Sequence, residues 1–129
     1  MLLKILKSKL HRARVTETRL NYPGSILIDE ALMKAAGILP YEGVLIADLN
    51  NGNRVETYAV AATANSGEII VLGAAAKRMK KNDIIIIFSF AYCTLAEARK
   101  LKPRVVILNE RNKIIKKSGI KTKVVSRKS

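Results

Sequence analysis

Apolar and polar residues alternate along most of the chain in short runs, and turn-forming residues separate these runs. Alternation with a period of two residues is typical of β-strands that bury one face. The run at 83–90 is the most apolar, which favours a strand that is buried on both faces. The strands that this pattern predicts lie at residues 2–16, 25–28, 43–49, 54–61, 68–72, 83–90 and 104–108.

Turn and cap residues mark the joints between these strands. Asn51-Gly52 lies between two strand-like runs and predicts a tight hairpin, because Asn-Gly pairs adopt the backbone conformation that such turns need. Asp29 is a suitable N-cap for a short helix through residues 33–36, and Gly37 is a suitable C-terminal stop. We therefore predict a helix between the second and third strands.

A second helix is predicted near the C-terminal end of the strand pattern. Thr94 and Glu97 have the spacing of a capping box, and Pro103 ends the helix that they begin. Many short strands with small helical inserts indicate a mainly β protein that forms a small closed β-barrel. We expect one barrel domain at residues 1–110 and a basic C-terminal tail at residues 111–129.

The net charge of +14 lies mostly at the two ends of the chain. Residues 1–19 hold six Lys or Arg and one acidic residue, and residues 99–129 hold twelve and one. Residues 20–98 hold six basic and eight acidic residues, so the body of the chain is slightly negative. Binders of single-stranded nucleic acid interleave aromatic with basic residues, whereas aromatics are only 5% of this chain. We therefore expect solvated basic ends and favour no nucleic-acid partner, with unspecific attraction to phosphate left open.

The chain has one cysteine, Cys93, and one histidine, His11. This excludes an internal disulfide and leaves too few ligands for a structural zinc ion, so we expect no metal. No apolar run approaches the roughly 18 residues that a membrane helix needs. The N-terminal residues alternate Lys with Leu and Ile, unlike a secretory signal. We expect a soluble cytoplasmic protein without a membrane partner.

The stretch Tyr22-Pro23-Gly24-Ser25 places a nucleophile directly after a flexible residue. Pro23 fixes its own φ, whereas Gly24 has no Cβ and allows another group to approach its carbonyl closely. The Ser25 hydroxyl is one peptide bond from that carbonyl, which suits an intramolecular attack that turns the amide into an ester. Pro-Gly-Ser is also a common turn sequence, so this stretch alone leaves both interpretations open.

Four motifs occur in a fixed order in this small β-rich chain: Lys9-Leu10-His11-Arg12, Tyr22 with Gly24-Ser25, Asn51-Gly52 with Arg54 and Thr57-Tyr58, and Gly73-Ala74-Ala75-Ala76. In their order and spacing they resemble the pyruvoyl-dependent L-aspartate α-decarboxylase family, from about Lys7 to Phe90 and more loosely to about Ile107. The resemblance implies a double-psi β-barrel that assembles as a tetramer. It also implies decarboxylation of L-aspartate to β-alanine and carbon dioxide, for pantothenate biosynthesis.

The same resemblance implies a cofactor and a set of site residues. Ser25 would attack the Gly24 carbonyl, the chain would split between them, and a pyruvoyl group derived from Ser25 would remain covalently bound. That group would form a Schiff base with the substrate and accept the electrons left by carbon dioxide. Tyr58 would donate the proton to the product carbanion, and Tyr22 would line the pocket. The residues implied to bind substrate are Lys9, Arg54, Thr57, Gly73, Ala74 and Ala75.

The chain departs from the family pattern at three places. Leu72 stands where the family usually has Asn, Pro23 is unusual before the cleavage glycine, and the basic tail after about Asn109 is not a family feature. Adjacent strand residues point to opposite faces, so Thr57 and Tyr58 could share one pocket only at a bulge or a subunit boundary. Two alternatives stay open, namely a non-catalytic basic β-barrel that binds nucleic acid and an uncleaved scaffold homologue.

Overall fold

A computed structural model describes residues 1–118 of the chain, and the structural statements below concern those residues. The described part is mainly β, which confirms the predicted fold class. The strands are β1 (Leu3–Arg14), β2 (Glu17–Arg19), β3 (Ser25–Asp29), β4 (Gly43–Asp48), β5 (Arg54–Ala62), β6 (Ile69–Leu72), β7 (Ile84–Cys93), β8 (Arg104–Leu108) and β9 (Ile114–Ser118). The helical inserts are α1 (Glu30–Ala36), a 3-10 helix (Gly73–Lys77) and α2 (Leu95–Lys100).

The strands form one sheet in the order β2-β6-β3-β5-β4-β7-β1-β8-β9. Only Val15 and Thr16 separate β1 from β2 along the chain, although these strands lie far apart in the sheet order. The N–H groups of Val15 and Thr16 donate to the carbonyls of Asp83 and Ile69 at 2.9 and 2.8 Å. The sheet must therefore curl back on itself. Complete closure and the double-psi path of the barrel stay predictions.

The concave face of the curled sheet holds the apolar core. Burying each large aliphatic side chain stabilises the fold by about 1.5–3 kcal/mol relative to leaving it exposed. Helix α1 adds Leu32, Met33 and Ala36 to the same cluster. The fully enclosed strand residues include Leu10, Ile26, Ile28, Ile46, Ile69, Val71, Ile85, Ile87 and Val106.

Asp29 caps α1 as predicted and also anchors a neighbouring loop. Its Oδ1 atom accepts hydrogen bonds from the N–H groups of Ala31 and Asn65, at 2.8 and 2.9 Å. Its Oδ2 atom accepts a third from Gly67 at 2.9 Å. Gly37 ends the helix with φ of 72°, which confirms the predicted stop. One buried carboxylate thus fixes both the helix that follows β3 and the loop that precedes β6.

Strand β7 corrects one expectation. Its residues alternate between buried and half-buried, so the prediction that it is buried on both faces is wrong. Long basic side chains partly cover its outer face in place of a packed layer. Lys4 Nζ lies 4.6 Å from the ring centroid of Phe90, and Arg54 Cζ lies 5.9 Å from that of Phe88. The remaining predicted strands, the hairpin at Asn51-Gly52 and the capping box at Thr94 are confirmed.

The sheet continues beyond residue 110, where we expected the domain to end. Strand β9 pairs antiparallel with β8, and Asn112 before it is almost fully buried. The Asn112 side chain accepts a hydrogen bond from Arg14 N–H at 2.7 Å and donates to the carbonyls of Arg14 and Gly67 at 2.9 and 2.8 Å. Part of the expected tail therefore belongs to the domain. Residues 119–129 of that tail lie outside the described residues.

Two buried carboxyl groups meet where the β4–β5 hairpin packs against the loop before β7. Asp48 and Asp83 are both buried. The Oδ1 atom of Asp48 accepts hydrogen bonds from the N–H groups of Asn50 and Asn51, at 2.7 and 3.3 Å. Burial, together with the neighbouring Asp83 carboxyl group, raises the pKa of Asp48 to about 6. The native state therefore favours a proton on this pair.

We predict that Asp48→Asn reduces the pH dependence of stability. The pKa of Asp48 is raised in the folded state, so protonation of Asp48 stabilises the fold. This contribution to the free energy of unfolding is fully present below about pH 4 and is lost as pH rises through about 6. Asn keeps the Oδ1 acceptor and carries no charge. When the pH is raised from 4.5 to 7, the free energy of unfolding of the variant should therefore rise by about 1–2 kcal/mol relative to that of the unchanged protein, measured by urea unfolding. If the difference in unfolding free energy between the two proteins is the same at pH 4.5 and pH 7, the raised pKa of Asp48 is contradicted.

Candidate functional site

The turn before Ser25 packs directly against the start of the 3-10 helix. A Cβ atom placed on Gly73 would lie 2.8 Å from Gly24 Cα and 2.9 Å from both Gly24 N and the Tyr22 carbonyl oxygen. Gly73 also has φ of 74°, a conformation that L side chains rarely adopt. Glycine at position 73 is therefore required by space as well as by backbone conformation.

Gly24 itself is not required by packing. A Cβ atom placed there would meet nothing within 4 Å, and its φ is not positive. Open space thus lies beside the peptide bond that joins Gly24 to Ser25. An attack of the Ser25 hydroxyl on the Gly24 carbonyl needs such space.

Sheet register brings Ser25 and Tyr58 to the same level on the same face. Ser25 is paired with Leu72 of β6, and the next residue, Ile26, is paired with Ala59 of β5. Ile26 and Ala59 point into the core, so their neighbours Ser25 and Tyr58 point to the outer face. Ser25 is nevertheless only 5% exposed. The structure therefore brings together two of the residues that the sequence singled out.

Tyr58 presents an accessible phenol beside this position. Its side chain is 39% exposed, and its ring centroid lies 6.5 Å from that of Tyr41 at a tilt of 36°. Tyr41 is fixed by its N–H group, which donates to the Ala59 carbonyl at 2.7 Å. The ring of Tyr58 is thus supported on one side while its hydroxyl can reach solvent or a ligand.

Thr57 lies on the opposite face of β5 from Tyr58. The pairing of β4 with β5 is regular here, with Gly43 opposite Tyr58 and Val44 opposite Thr57. A bulge therefore does not turn the two side chains to one face. Thr57 instead lines a cavity of about 270 Å³ together with Glu42. Within one chain the structure does not bring Thr57 to the Ser25 side of the sheet.

Lys9 and Arg54 belong to a second group on the outer face, further along the sheet. Lys9 is paired with Phe88, and the Arg54 guanidinium lies over the Phe88 ring. His11 follows two residues after Lys9 and shares its face, because strand side chains alternate. We call Lys9, His11, Arg54 and Phe88 the basic patch. Ser25, Tyr58, Tyr22, Leu72 and Gly73–Ala75 form the cleavage patch.

His11 was not assigned a role in the sequence, although it stands beside Lys9 in the first motif. Within the described residues its Nδ1 atom is buried and has no hydrogen-bond partner. Burial lowers the pKa of His11, and the positive charges of Lys9 and Arg12 lower it further. A neutral imidazole at neutral pH follows from these causes. The signal in the sequence was the two-residue spacing from Lys9, which places both side chains on one strand face.

The two patches occupy different parts of the outer face of one chain. Arg54 and Tyr58 share a face of β5 but lie four positions apart, about 13 Å along a strand. Lys9 on β1 is three strand spacings from β5, about 14 Å, and the long Arg54 side chain spans part of this distance to reach Phe88, the partner of Lys9. The curl of the sheet also turns the outer faces of β1 and β3 in different directions. One chain therefore presents two half-sites.

Other kinds of site find little support in the described part of the chain. Residues 1–118 contain no cluster of three or more His, Cys, Asp or Glu side chains that could hold a metal ion. Among the helices of the same residues, none is long and apolar enough to span a membrane.

Fold and site together define a small, mainly β protein with a buried serine at a glycine turn. Residues 1–115 match the family model described as aspartate decarboxylase. A relative from Clostridium botulinum (strain Loch Maree / Type A3), named aspartate 1-decarboxylase, is 52% identical over 116 residues, which are 90% of this chain and 91% of the relative. A relative of the same name from Pelotomaculum thermopropionicum is 51% identical over 89% of this chain and 87% of the relative. The chain belongs to the aspartate decarboxylase family.

A third relative has a match of similar extent. The aspartate 1-decarboxylase from Caldicellulosiruptor saccharolyticus is 48% identical over 119 residues, which cover 92% of this chain and 93% of the relative. The family match over residues 1–115 includes the residues of both patches.

We predict that Gly73→Ala is more damaging than Gly52→Ala. Both glycines have positive φ, of 74° and 77°, but a Cβ at position 52 meets nothing within 4 Å. Each alanine should cost about 1 kcal/mol or more for its backbone conformation, and only position 73 adds a clash with the cleavage turn. The expected loss in unfolding free energy is about 2–4 kcal/mol at position 73 and about 1 kcal/mol at position 52. Equal losses of unfolding free energy at the two positions, measured by urea unfolding, would show that the contact between Gly73 and Gly24 does not contribute to stability.

Proposed function

We propose that this chain decarboxylates L-aspartate to β-alanine and carbon dioxide in the cytoplasm, for pantothenate biosynthesis. Its cofactor is a covalently bound pyruvoyl group that derives from Ser25. The proposal is supported by the family match and by the names of the relatives. The observation that carries it is the position of Ser25, buried behind a glycine turn that Gly73 holds in place.

The proposed cleavage needs only the Gly24-Ser25 peptide bond and the Ser25 hydroxyl. Ser25 Oγ attacks the Gly24 carbonyl carbon, the C–N bond breaks, and an ester replaces the amide. Elimination then releases the carboxyl end of Gly24 and leaves a dehydroalanine, which water converts to the pyruvoyl group with loss of ammonia. The open space beside Gly24 fits this attack, and the Gly73 contact restricts movement of the turn.

The cleavage patch and the basic patch have different proposed roles in decarboxylation. The pyruvoyl group supplies an electron sink when the substrate is bound to it. Tyr58 holds the proton that its phenol donates to the product carbon. Arg54 and Lys9 bind substrate carboxylate, for which the planar guanidinium of arginine is well suited. Thr57 stays a proposed substrate contact, as does the backbone of Gly73, Ala74 and Ala75.

We further propose that each site combines the cleavage patch of one subunit with the basic patch of its neighbour, in a tetramer. The separation of the two half-sites on one chain supports this arrangement. Exposed apolar side chains beside the cleavage patch support it as well, because such patches commonly mark interfaces. Tyr22, Leu39 and Tyr41 are 51%, 68% and 76% exposed. A neighbouring subunit would cover them.

We predict that Tyr58→Phe separates decarboxylation from chain cleavage. The substitution keeps the ring that packs against Tyr41 and removes only the phenolic proton. Loss of a positioned general acid should lower β-alanine formation per cleaved chain by about 10²–10⁴-fold, while cleavage remains complete. Tyr41→Phe is the matched control, because it removes the neighbouring phenol, to which no role is assigned, and keeps the ring that packs against Tyr58; it should behave like the unchanged protein. Near-normal turnover in Tyr58→Phe would assign the proton to another group.

The shared site makes a separate prediction about mixed oligomers. Tyr58→Phe inactivates the cleavage patch and Arg54→Ala the basic patch, so each variant alone should turn over aspartate poorly. When the two are co-expressed in equal amounts, about a quarter of the sites should combine two intact patches and recover activity. Activity no greater than the sum of the separate variants would place both patches of a site on one chain.

A further inference from the structure

Arg19 occupies a position beside the cleavage patch that neither the sequence motifs nor the proposed chemistry uses. Strand β2 pairs with β6 so that Arg19 lies next to Leu72, and Leu72 lies opposite Ser25. These side chains therefore share one row across neighbouring strands. Leu72 is buried and has no hydrogen-bonding group. Arg19 is thus the cation nearest to the cleavage turn along this row.

Arg19 is partly exposed to solvent, and its guanidinium contacts the turn through Tyr22. Its Cζ atom lies 5.5 Å from the ring centroid of Tyr22, which is within the range of a cation–π interaction. Its Nε atom forms an ion pair with Glu17, two residues earlier on the same face of β2. That hydrogen bond raises the pKa of Arg19 further, so the guanidinium stays charged. Glu17 therefore orients the cation that lies over the Tyr22 ring.

Tyr22 is held at both its side chain and its backbone. The ring lies under Arg19, and the carbonyl oxygen packs against Gly73. Pro23 follows immediately, and its ring fixes its own φ. With Tyr22 anchored and Pro23 stiff, the torsions of Gly24 alone set the direction of the carbonyl that Ser25 attacks, and the contact with Gly73 limits those torsions. Fixing the residues before a reacting bond raises the fraction of molecules in a reactive geometry.

We propose that Arg19 is a positioning residue for self-cleavage, which acts by holding the Tyr22 ring and thereby the orientation of the Gly24 carbonyl. The proposal rests on the proposed cleavage between Gly24 and Ser25. Arg19 touches neither the substrate nor the reacting atoms in this role. Its removal therefore slows the maturation of the chain without changing turnover by chains that have already been cleaved.

The test follows newly made protein in a cell-free translation reaction and measures the cleaved fraction over time by gel electrophoresis. Arg19→Ala should slow cleavage by about 3- to 10-fold, because one partly exposed cation–π contact orders the turn. Arg19→Lys keeps a cation over the ring and should recover the original rate to within about twofold. Arg99→Ala, at an exposed arginine on α2, is the control and should cleave normally.

A double-substitution cycle separates this role from a general loss of stability. If Arg19 acts through the Tyr22 ring, Arg19→Ala should slow cleavage no further in a Tyr22→Ala background. β-Alanine formed per cleaved chain should equal that of the unchanged protein in Arg19→Ala. The melting temperature of uncleaved Ser25→Ala protein should also be the same with and without Arg19→Ala.

The outcomes distinguish this inference from the proposed function. If the unchanged chain is never cleaved after Gly24, the proposed function fails. If the unchanged chain is cleaved and Arg19→Ala cleaves at the same rate, only the role of Arg19 is overturned. Additive slowing by Arg19→Ala and Tyr22→Ala, or an equal slowing in Arg99→Ala, would also overturn it.

Discussion

The close backbone contact between Gly73 and Gly24 is the constraint on which the rest of the site depends. Gly73 follows strand β6 directly and contacts the turn, and the pairing of β6 with β3 places Ser25 opposite Leu72. The parallel pairing of β3 with β5 then sets Ser25 level with Tyr58. The register of three strands thus brings the Ser25 nucleophile, the Tyr58 phenol and the restricted turn close together. A side chain at position 73 would push the turn away from all of them.

The curl of the sheet explains why one chain carries its candidate chemistry in two places. An outer face that bends round a single core points its side chains in diverging directions, which separates the groups on β1 from those on β3. The basic patch lacks a reactive carbonyl precursor, and the one cation beside the cleavage patch, Arg19, is already paired with Glu17 and lies over Tyr22. Their chemistries are complementary, which is the physical reason to propose that neighbouring subunits complete each other's sites.

Local pattern was enough to predict most strands, both caps of α1 and the opposite faces of Thr57 and Tyr58. It failed where structure depends on partners distant in sequence. β2 has only three residues, too few to show alternation, and β9 carries exposed lysines that resemble a solvated tail. The burial of Asn112 depends on backbone groups of Arg14 and Gly67, which no local window contains. The sequence did not indicate that Gly73 would meet Gly24, because only the sheet register brings them together.

The central claim is that Ser25 attacks the Gly24 carbonyl and opens the chain there. Its most direct test is the intact mass of the purified protein under denaturing conditions, beside that of Ser25→Ala. The account predicts a fragment of 24 residues and one of 105 residues, the remainder of the 129, for the unchanged chain. It predicts a single chain of 129 residues for Ser25→Ala, which lacks the nucleophile. One intact chain in both proteins, or a break at another bond, would contradict the account and favour an uncleaved scaffold.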